Sequence, residues 1–175
     1  HSLLPEPTPT PTPTQTPTPT PEAPSVPTPN PTSNPEPEPA PYDGIIESIK
    51  GKGILKGTSV ADAFTFDTFE VFTKKSADKI IGFDASDGDT ITVSQNAFPA
   101  LQGADDIKFT STNNKKELKR LSKQNYDFVY FEKKGRLYFG GNGVDKNWGD
   151  SNEGGLVAIL KGKPELSVED FTLLA

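Results

Sequence analysis

The sequence predicts a mainly β domain, either a small antiparallel β-sandwich or a β-roll cap with one or two short helices, preceded by a disordered polyproline II linker. Two observations support this prediction. Of the 18 prolines, 16 lie within the first 41 residues, whereas short β-rich runs separated by Gly, Asp and Asn dominate after Tyr42. We therefore place the linker at residues 1–42 and a single β-rich domain at residues 43–175.

The first 42 residues lack the side chains that a folded core needs. Thr-Pro pairs repeat from Thr8 to Pro21, and few apolar residues accompany them. Such a segment cannot offset the conformational entropy lost on folding. Proline favours extended backbone of about 3.1 Å per residue, so we expect a semi-rigid spacer. Because the first residue is His1, we expect the chain to be a piece of a longer protein whose main activity lies upstream.

The domain carries a series of short strand patterns. They are rich in β-branched and aromatic residues, and several of them alternate between apolar and polar positions. A turn at Glu132 to Gly135 separates two of them and predicts a β-hairpin. The predicted strands are Ala63–Phe66, Lys79–Phe83, Thr90–Val93, Asp127–Phe131, Arg136–Phe139, Gly155–Leu160 and Phe171–Leu174.

Two segments depart from the strand pattern. Between Asn114 and Ser122, Leu118 and Leu121 are spaced three apart among good helix formers, and Asn113 or Asn114 can cap the first turn. We expect a short surface helix there. A second short helical turn is expected to begin at Ser167, because its spacing to Asp170 matches a capping pattern.

Composition excludes several classes of function. The only histidine is His1 and there is no cysteine, so neither a Ser-His-Asp nor a Cys-His arrangement can be built in the domain. The linker holds four glutamates and no Lys or Arg, so the domain keeps −2 of the net charge of −6, which argues against a nucleic-acid surface. No apolar run approaches the roughly 18 residues of a membrane span. We expect no catalytic activity.

Acid-rich loops are candidates for calcium, because this cation takes carboxylate and carbonyl oxygens as ligands. In the first loop, Asp84, Asp87 and Asp89 place three carboxylates within six residues. The alternative is a tight Asp-Gly turn with solvated charges. A second, weaker candidate contains Asn142, Asp145 and Asp150, and here a long turn without metal is the alternative.

A third stretch resembles a known calcium-binding repeat. The segment from Gly51 to Phe66 is similar to a degenerate last copy of the glycine-rich nonapeptide of RTX proteins, Leu-x-Gly-Gly-x-Gly-x-Asp-x-Phe. Gly57 and Asp62 keep their places in that pattern. Thr58 and Val60 replace the second and third glycines.

The following residues extend this resemblance. Asp78 to Asp84 and Gly88 to Ser94 resemble the block that closes RTX regions, with Gly82 in place of one expected aspartate. Further on, the aromatic hairpin, a glycine-rich turn and the final acidic-apolar segment resemble the C-terminal "bluetail" domain of cyanobacterial surface proteins, although Gly140 stands where that family commonly has aspartate. The resemblance covers about residues 50–175.

The resemblance implies a function without chemistry of its own. It implies a calcium ion bound by the aspartates of the RTX-like stretch and the first loop. It also implies that a type I secretion transporter reads an uncleaved C-terminal signal, and that the protein is extracellular or at the cell surface. The ending from Glu169 to Ala175, acidic and then apolar, is similar to such signals. The domain would then be the secretion signal and folding cap of an exported protein. The tentative calcium ligands implied in this way are Asp62, Asp78, Asp84, Asp87 and Asp89.

The alternative is a binding module displayed on the Pro/Thr stalk. Trp148, Tyr138 and Tyr130 could stack on cell-surface glycans, although alternating aromatics in a hairpin commonly form the core instead. The basic residues around the predicted helix are most simply a solvated helix face. Loss of glycan binding on Trp148→Ala is the observation that would favour this alternative.

Overall fold

A computed structural model describes residues 44–48, 51–68, 71–145 and 147–175. The predicted linker at residues 1–42 lies outside the described residues. The part that is described is mainly β and contains ten strands and one α-helix. The helix, α1, is Lys115–Leu121. The strands are β1 (Gly44–Glu47), β2 (Ile54–Lys56), β3 (Asp62–Phe66), β4 (Asp78–Ile81), β5 (Thr90–Ser94), β6 (Phe109–Thr112), β7 (Phe128–Phe131), β8 (Arg136–Gly140), β9 (Gly154–Leu160) and β10 (Phe171–Leu174).

The strands form two sheets. Sheet A has the order β1-β3-β5-β10, and sheet B has the order β2-β4-β9-β8-β7-β6. From β1 to β5 the chain therefore alternates between the sheets, placing each new strand beside the previous strand of the same sheet. Every strand pair of sheet A is parallel.

The expectation of an antiparallel sheet holds for only part of sheet B. There β8 pairs antiparallel with β7 on one side and with β9 on the other. The pairs β2 with β4, β4 with β9 and β6 with β7 are parallel. The predicted hairpin is confirmed. The parallel direction of β2 and β4 follows from the crossing to the other sheet and back, and that of β6 and β7 from the crossover connection through α1.

Two of the three strand pairs of sheet A have an offset that is a multiple of nine residues, whereas β5 and β10 are offset by 80 residues and the sheet B pair β2 and β4 by 25. Gly44 lies opposite Asp62, 18 positions later in the chain. Ala63 lies opposite Thr90, 27 positions later. Each circuit through both sheets thus returns the chain to the same level of sheet A.

The core lies between the two sheets and is rich in phenylalanine. Phe98 and Phe139 pack edge to face with ring centroids 4.8 Å apart, and Phe72 and Phe128 pack against both of them at 5.2 to 5.6 Å. Phe64 of β3 extends the same core and contacts Phe83. Edge-to-face and offset aromatic pairs add about 0.5–1.5 kcal/mol each beyond the area they bury.

Both predicted helical turns are present. Asn114 caps α1, its side-chain oxygen accepting hydrogen bonds from the backbone N–H groups of Lys116 at 2.8 Å and Glu117 at 3.4 Å. The helix buries Leu121 and lies against β6 and β7. Ser167 and Asp170 form a capping box on the 3-10 turn Val168–Asp170. No helix of the described residues is long and apolar enough to cross a membrane.

Tyr130 is a core residue, so its interpretation as an exposed glycan-stacking aromatic is wrong. It is 0% exposed, because strand alternation directs it inward beside Phe128 while Val129 points to the opposite face. Its hydroxyl is buried without a hydrogen-bond partner. Burial, and secondarily the negative charge of Glu132, raises the pKa of Tyr130 to about 12.

Replacing this hydroxyl tests the position. Tyr130→Phe should leave the free energy of unfolding unchanged or raise it by about 1 kcal/mol, because a buried unpartnered hydroxyl is costly. A pKa raised in the folded state means that stability present below pH 10 is lost as the pH rises toward 12. The variant should therefore lose less stability in that interval. Denaturant titrations between pH 8 and 12 measure this, with Tyr138→Phe as the matched control; equal alkaline losses in wild type and Tyr130→Phe would contradict it.

Candidate functional site

Three buried aspartates stand where the chain enters parallel strands. Asp62 is the first residue of β3, Asp78 is the first of β4, and Asp89 directly precedes β5. Their exposed fractions are 0%, 3% and 3%. Carboxylates are buried this deeply only when hydrogen bonds or opposite charges compensate for lost hydration. All three accept hydrogen bonds from backbone N–H groups of nearby turns.

Asp62 holds the turn that precedes its own strand. Its Oδ2 accepts from the Thr58 backbone N–H at 2.5 Å and from the Thr58 hydroxyl at 3.0 Å. Its Oδ1 is buried and has no hydrogen-bond partner. Gly44 on the neighbouring strand β1 leaves room for this oxygen, since a Cβ atom there would lie 2.8 Å from Oδ1.

Asp89 joins two turns. Its Oδ1 accepts from the Asp62 backbone N–H and its Oδ2 from the Asp84 backbone N–H, both at 2.9 Å. Burial is the main cause that raises the pKa of Asp89, and the negative charges of Asp62 and Asp87 add to it. The two hydrogen bonds act in the opposite direction. The surroundings of Asp89 therefore disfavour the ionised form of its carboxyl group.

The other two acids of the first loop are exposed. Asp84 caps the 3-10 turn Ala85–Asp87, its Oδ1 accepting from the Ser86 N–H at 2.9 Å and the Ser86 hydroxyl at 2.6 Å. These bonds lower the pKa of Asp84. Asp87 lies within the turn, and Gly88 ends it at a φ of 91° that favours glycine.

Asp78 lies in the other sheet. Its Oδ1 accepts from the Gly53 backbone N–H at 2.5 Å, which ties β4 to the approach to β2. A cavity of about 30 Å³, the size of one water molecule, lies against Asp78, Ser76 and core side chains. The structure thus groups Asp62, Asp84, Asp87 and Asp89 and places Asp78 apart from them.

The second candidate loop is held by its own polar groups. The Asn142 amide Nδ2 donates to the Asn147 carbonyl at 3.3 Å. Asp150 accepts at Oδ1 from the Asn152 N–H at 2.7 Å, and its own N–H donates to Glu153 at 2.9 Å. Asp145 is exposed. The Oδ1 atom of Asn142 is buried and unpartnered.

The described residues bring no three His, Cys, Asp or Glu side chains together in a way that could hold a metal ion. The RTX-like stretch and the second loop nevertheless each contribute one buried side-chain oxygen without a partner, Oδ1 of Asp62 and Oδ1 of Asn142, whereas the first loop contributes none. The other oxygens described above satisfy backbone amides. The most direct role of the buried carboxylates is therefore to stabilise the turns between the two sheets.

Sequence reasoning did not identify which acids act in this way. Gly44, which makes room for Asp62 Oδ1, also lay outside the proposed site. The available signal was position, since an aspartate stands at or just before the start of β3, β4 and β5.

No family model matches the chain, and neither a curated protein nor a solved structure matches it. The resemblance to RTX and bluetail domains therefore depends on the sequence motifs alone.

The raised pKa of Asp89 gives a pH dependence of defined sign. The folded state binds a proton more readily than the unfolded state, so this group's contribution to stability is full below pH 3.8 and is lost as the pH rises through the folded pKa. Relative to Asp89→Asn, the wild type should lose unfolding free energy as the pH rises above 3.8 and then reach a plateau. Denaturant titrations between pH 3 and 7 measure the difference. Asp106→Asn, at an exposed position, is the matched control variant. A constant difference between wild type and Asp89→Asn would contradict the assignment.

Proposed function

We propose that the domain is the non-catalytic C-terminal folding cap and type I secretion signal of an exported surface or extracellular protein. The observation that carries this proposal is the register of β1, β3 and β5 in sheet A. The offsets of 18 residues between β1 and β3 and of 27 between β3 and β5 are multiples of nine, whereas the offset of 25 between β2 and β4 in sheet B is not. A chain of nonapeptide repeats that crosses between two sheets would have this register. The Gly51–Phe66 segment resembles such a nonapeptide repeat. In this proposal the parallel part is a roll formed by degenerate repeats.

The far end of the domain supports a capping role. After β5 the chain stops alternating regularly between the sheets and forms the antiparallel β7-β8-β9 segment with α1 packed on β7. Repeat folds need a terminal unit of different shape, because an open end exposes core and strand edges. The β7-β8-β9 segment with α1 would supply that unit.

The position of the last strand bears on the secretion signal. In β10, Phe171 packs against Phe109 at 5.0 Å and Phe128 at 5.3 Å, and the strand pairs with β5. The acidic-apolar ending is thus part of the sheet in the folded domain. A transporter would read it before folding, during passage of the unfolded chain, and the absence of cysteine avoids premature disulfides.

Calcium would couple folding to export. Calcium needs six to eight oxygens, so Asp62 Oδ1 and Asn142 Oδ1 would each require backbone carbonyls and water to complete a shell. A bound cation would offset the repulsion among Asp62, Asp87 and Asp89 that contributes to the raised pKa of Asp89. The low calcium concentration of the cytosol would leave the fold weaker, and external calcium would stabilise it by mass action.

Export is tested with a reporter. A neutral reporter fused to residues 43–175 should leave a host that has a type I transporter, and the same fusion lacking residues 169–175 should stay inside. Immunoblots of medium and cells measure the partition. A host without the transporter is the control, and retention of the complete fusion in the competent host would reject the secretion role.

Calcium coupling is tested by thermal denaturation. Millimolar calcium should raise the melting temperature above that in chelator, because a ligand that binds only the folded state stabilises it. Asp62→Asn should reduce this shift, and the exposed Asp106→Asn should keep it. Magnesium at the same concentration controls for ionic strength. Identical melting curves with calcium and with chelator would reject calcium coupling while leaving the secretion role open.

A further inference from the structure

The outer face of sheet B carries two adjoining hollows between α1 and β8. The helix lies over β6 and β7 and leaves the neighbouring strand β8 uncovered. The first hollow is lined by Tyr138 and Arg136 of β8 together with α1, and the second by Trp148 together with α1. Lys115 and Leu118 of α1 line both. Both hollows are open to solvent, and each offers a space of about 390 Å³.

The charged residues that line these hollows have a single sign. Five cations line them and no carboxylate does; the cations are Lys115, Lys119, Lys133, Lys134 and Arg136. None of them forms an ion pair with another described residue, where the only salt bridge joins Arg120 to Glu117. Glu117, the acid of α1, pairs with Arg120, and Glu132 of the hairpin accepts a hydrogen bond from the Ser111 hydroxyl. Both acids are thus engaged with residues outside the five cations. The domain, with a net charge of −2, thus concentrates unpaired positive charge on one face.

Two aromatic rings accompany the cations. Tyr138 and Trp148 stack almost parallel, with an interplanar angle of 9° and ring centroids 5.1 Å apart. Both rings are only partly exposed. The Trp148 backbone packs closely on Gly154, where a Cβ would lie 2.4 Å from the Trp148 carbonyl oxygen. The stacked pair restrains both rings, and restrained side chains lower the entropic cost of binding.

We propose that this surface binds acidic polysaccharide, a polymer of uronic acid or sulfated sugar rings. A pyranose presents a C–H face that packs on an aromatic ring, and its carboxylate or sulfate groups pair with Lys and Arg. Each hollow offers one ring and at least two cations, which matches a repeating unit that carries both features. Single-stranded nucleic acid fits less well, since it requires a basic groove that follows an extended backbone, whereas the basic area here is confined to two hollows.

Calorimetric titration of the full chain tests this binding. Oligogalacturonate and sulfated dextran should bind, and the affinity should fall as the salt concentration rises, because exposed charges are screened. Neutral dextran and a thymidine oligonucleotide are the comparison ligands. Binding of neutral dextran with equal affinity would overturn the role of the cations, and equal binding of the oligonucleotide would show a general polyanion surface in place of a glycan site. No binding of either acidic polymer would overturn the proposal.

Matched variants locate the site. Lys115→Gln/Lys133→Gln should weaken binding about tenfold, as expected for the loss of two partly exposed charge contacts. Lys74→Gln/Lys75→Gln removes two exposed lysines that line neither hollow and should bind as wild type. Trp148→Ala should also weaken binding, whereas Trp148→Phe should keep most of it. Tyr138→Ala repeats the ring test if Trp148→Ala lowers the melting temperature. Unchanged affinity in the Lys115/Lys133 pair would overturn the assignment, whatever the outcome of the secretion test.

Discussion

The backbone N–H groups at the turns between the two sheets are buried and need hydrogen-bond acceptors, and the structure of the domain depends on this constraint. A chain that crosses from one sheet to the other must turn at each strand entry, and the N–H groups of these turns have no strand partner. Asp62, Asp78 and Asp89 supply the acceptors. The carboxylates are buried with the turns and take the place of water as hydrogen-bond acceptors. An apolar residue at any of these positions would leave the backbone N–H groups without an acceptor.

In the same arrangement, some buried acceptor oxygens have no hydrogen-bond donor. Asp62 Oδ1 in the RTX-like stretch and Asn142 Oδ1 in the second acid-rich loop are buried and unpartnered. An unsatisfied buried oxygen lowers stability unless a proton donor or a cation reaches it. The proposed link between folding and calcium follows from this cost, and it concerns stability alone, since nothing in the proposal involves chemistry on a substrate.

Charge is distributed unevenly over the domain. Buried acids stabilise the turns of the parallel part, whereas unpaired cations and the Tyr138–Trp148 stack lie on the outer face beside α1. The near balance of charge in the sequence conceals this separation. The proposed cap and the proposed polyanion-binding surface share α1 and β8: the inward side chains of β8 pack in the core, and its outward side chains Arg136 and Tyr138 line the hollow.

The sequence alone determined the local elements. Alternation predicted β3, β-rich composition predicted β5, the turn at Glu132 to Gly135 predicted the β7-β8 hairpin, and an asparagine at 113 or 114 predicted the start of α1. These signals depend on neighbouring residues. The short strands β1, β2 and β6 were not predicted, since three or four residues give little pattern. Only the tertiary structure decided that most strands are parallel, that Tyr130 is buried, and that Asp89 contacts Asp62 across 27 positions. Pairing partner and direction depend on contacts between distant segments, and a strand's own residues read the same in either direction of pairing.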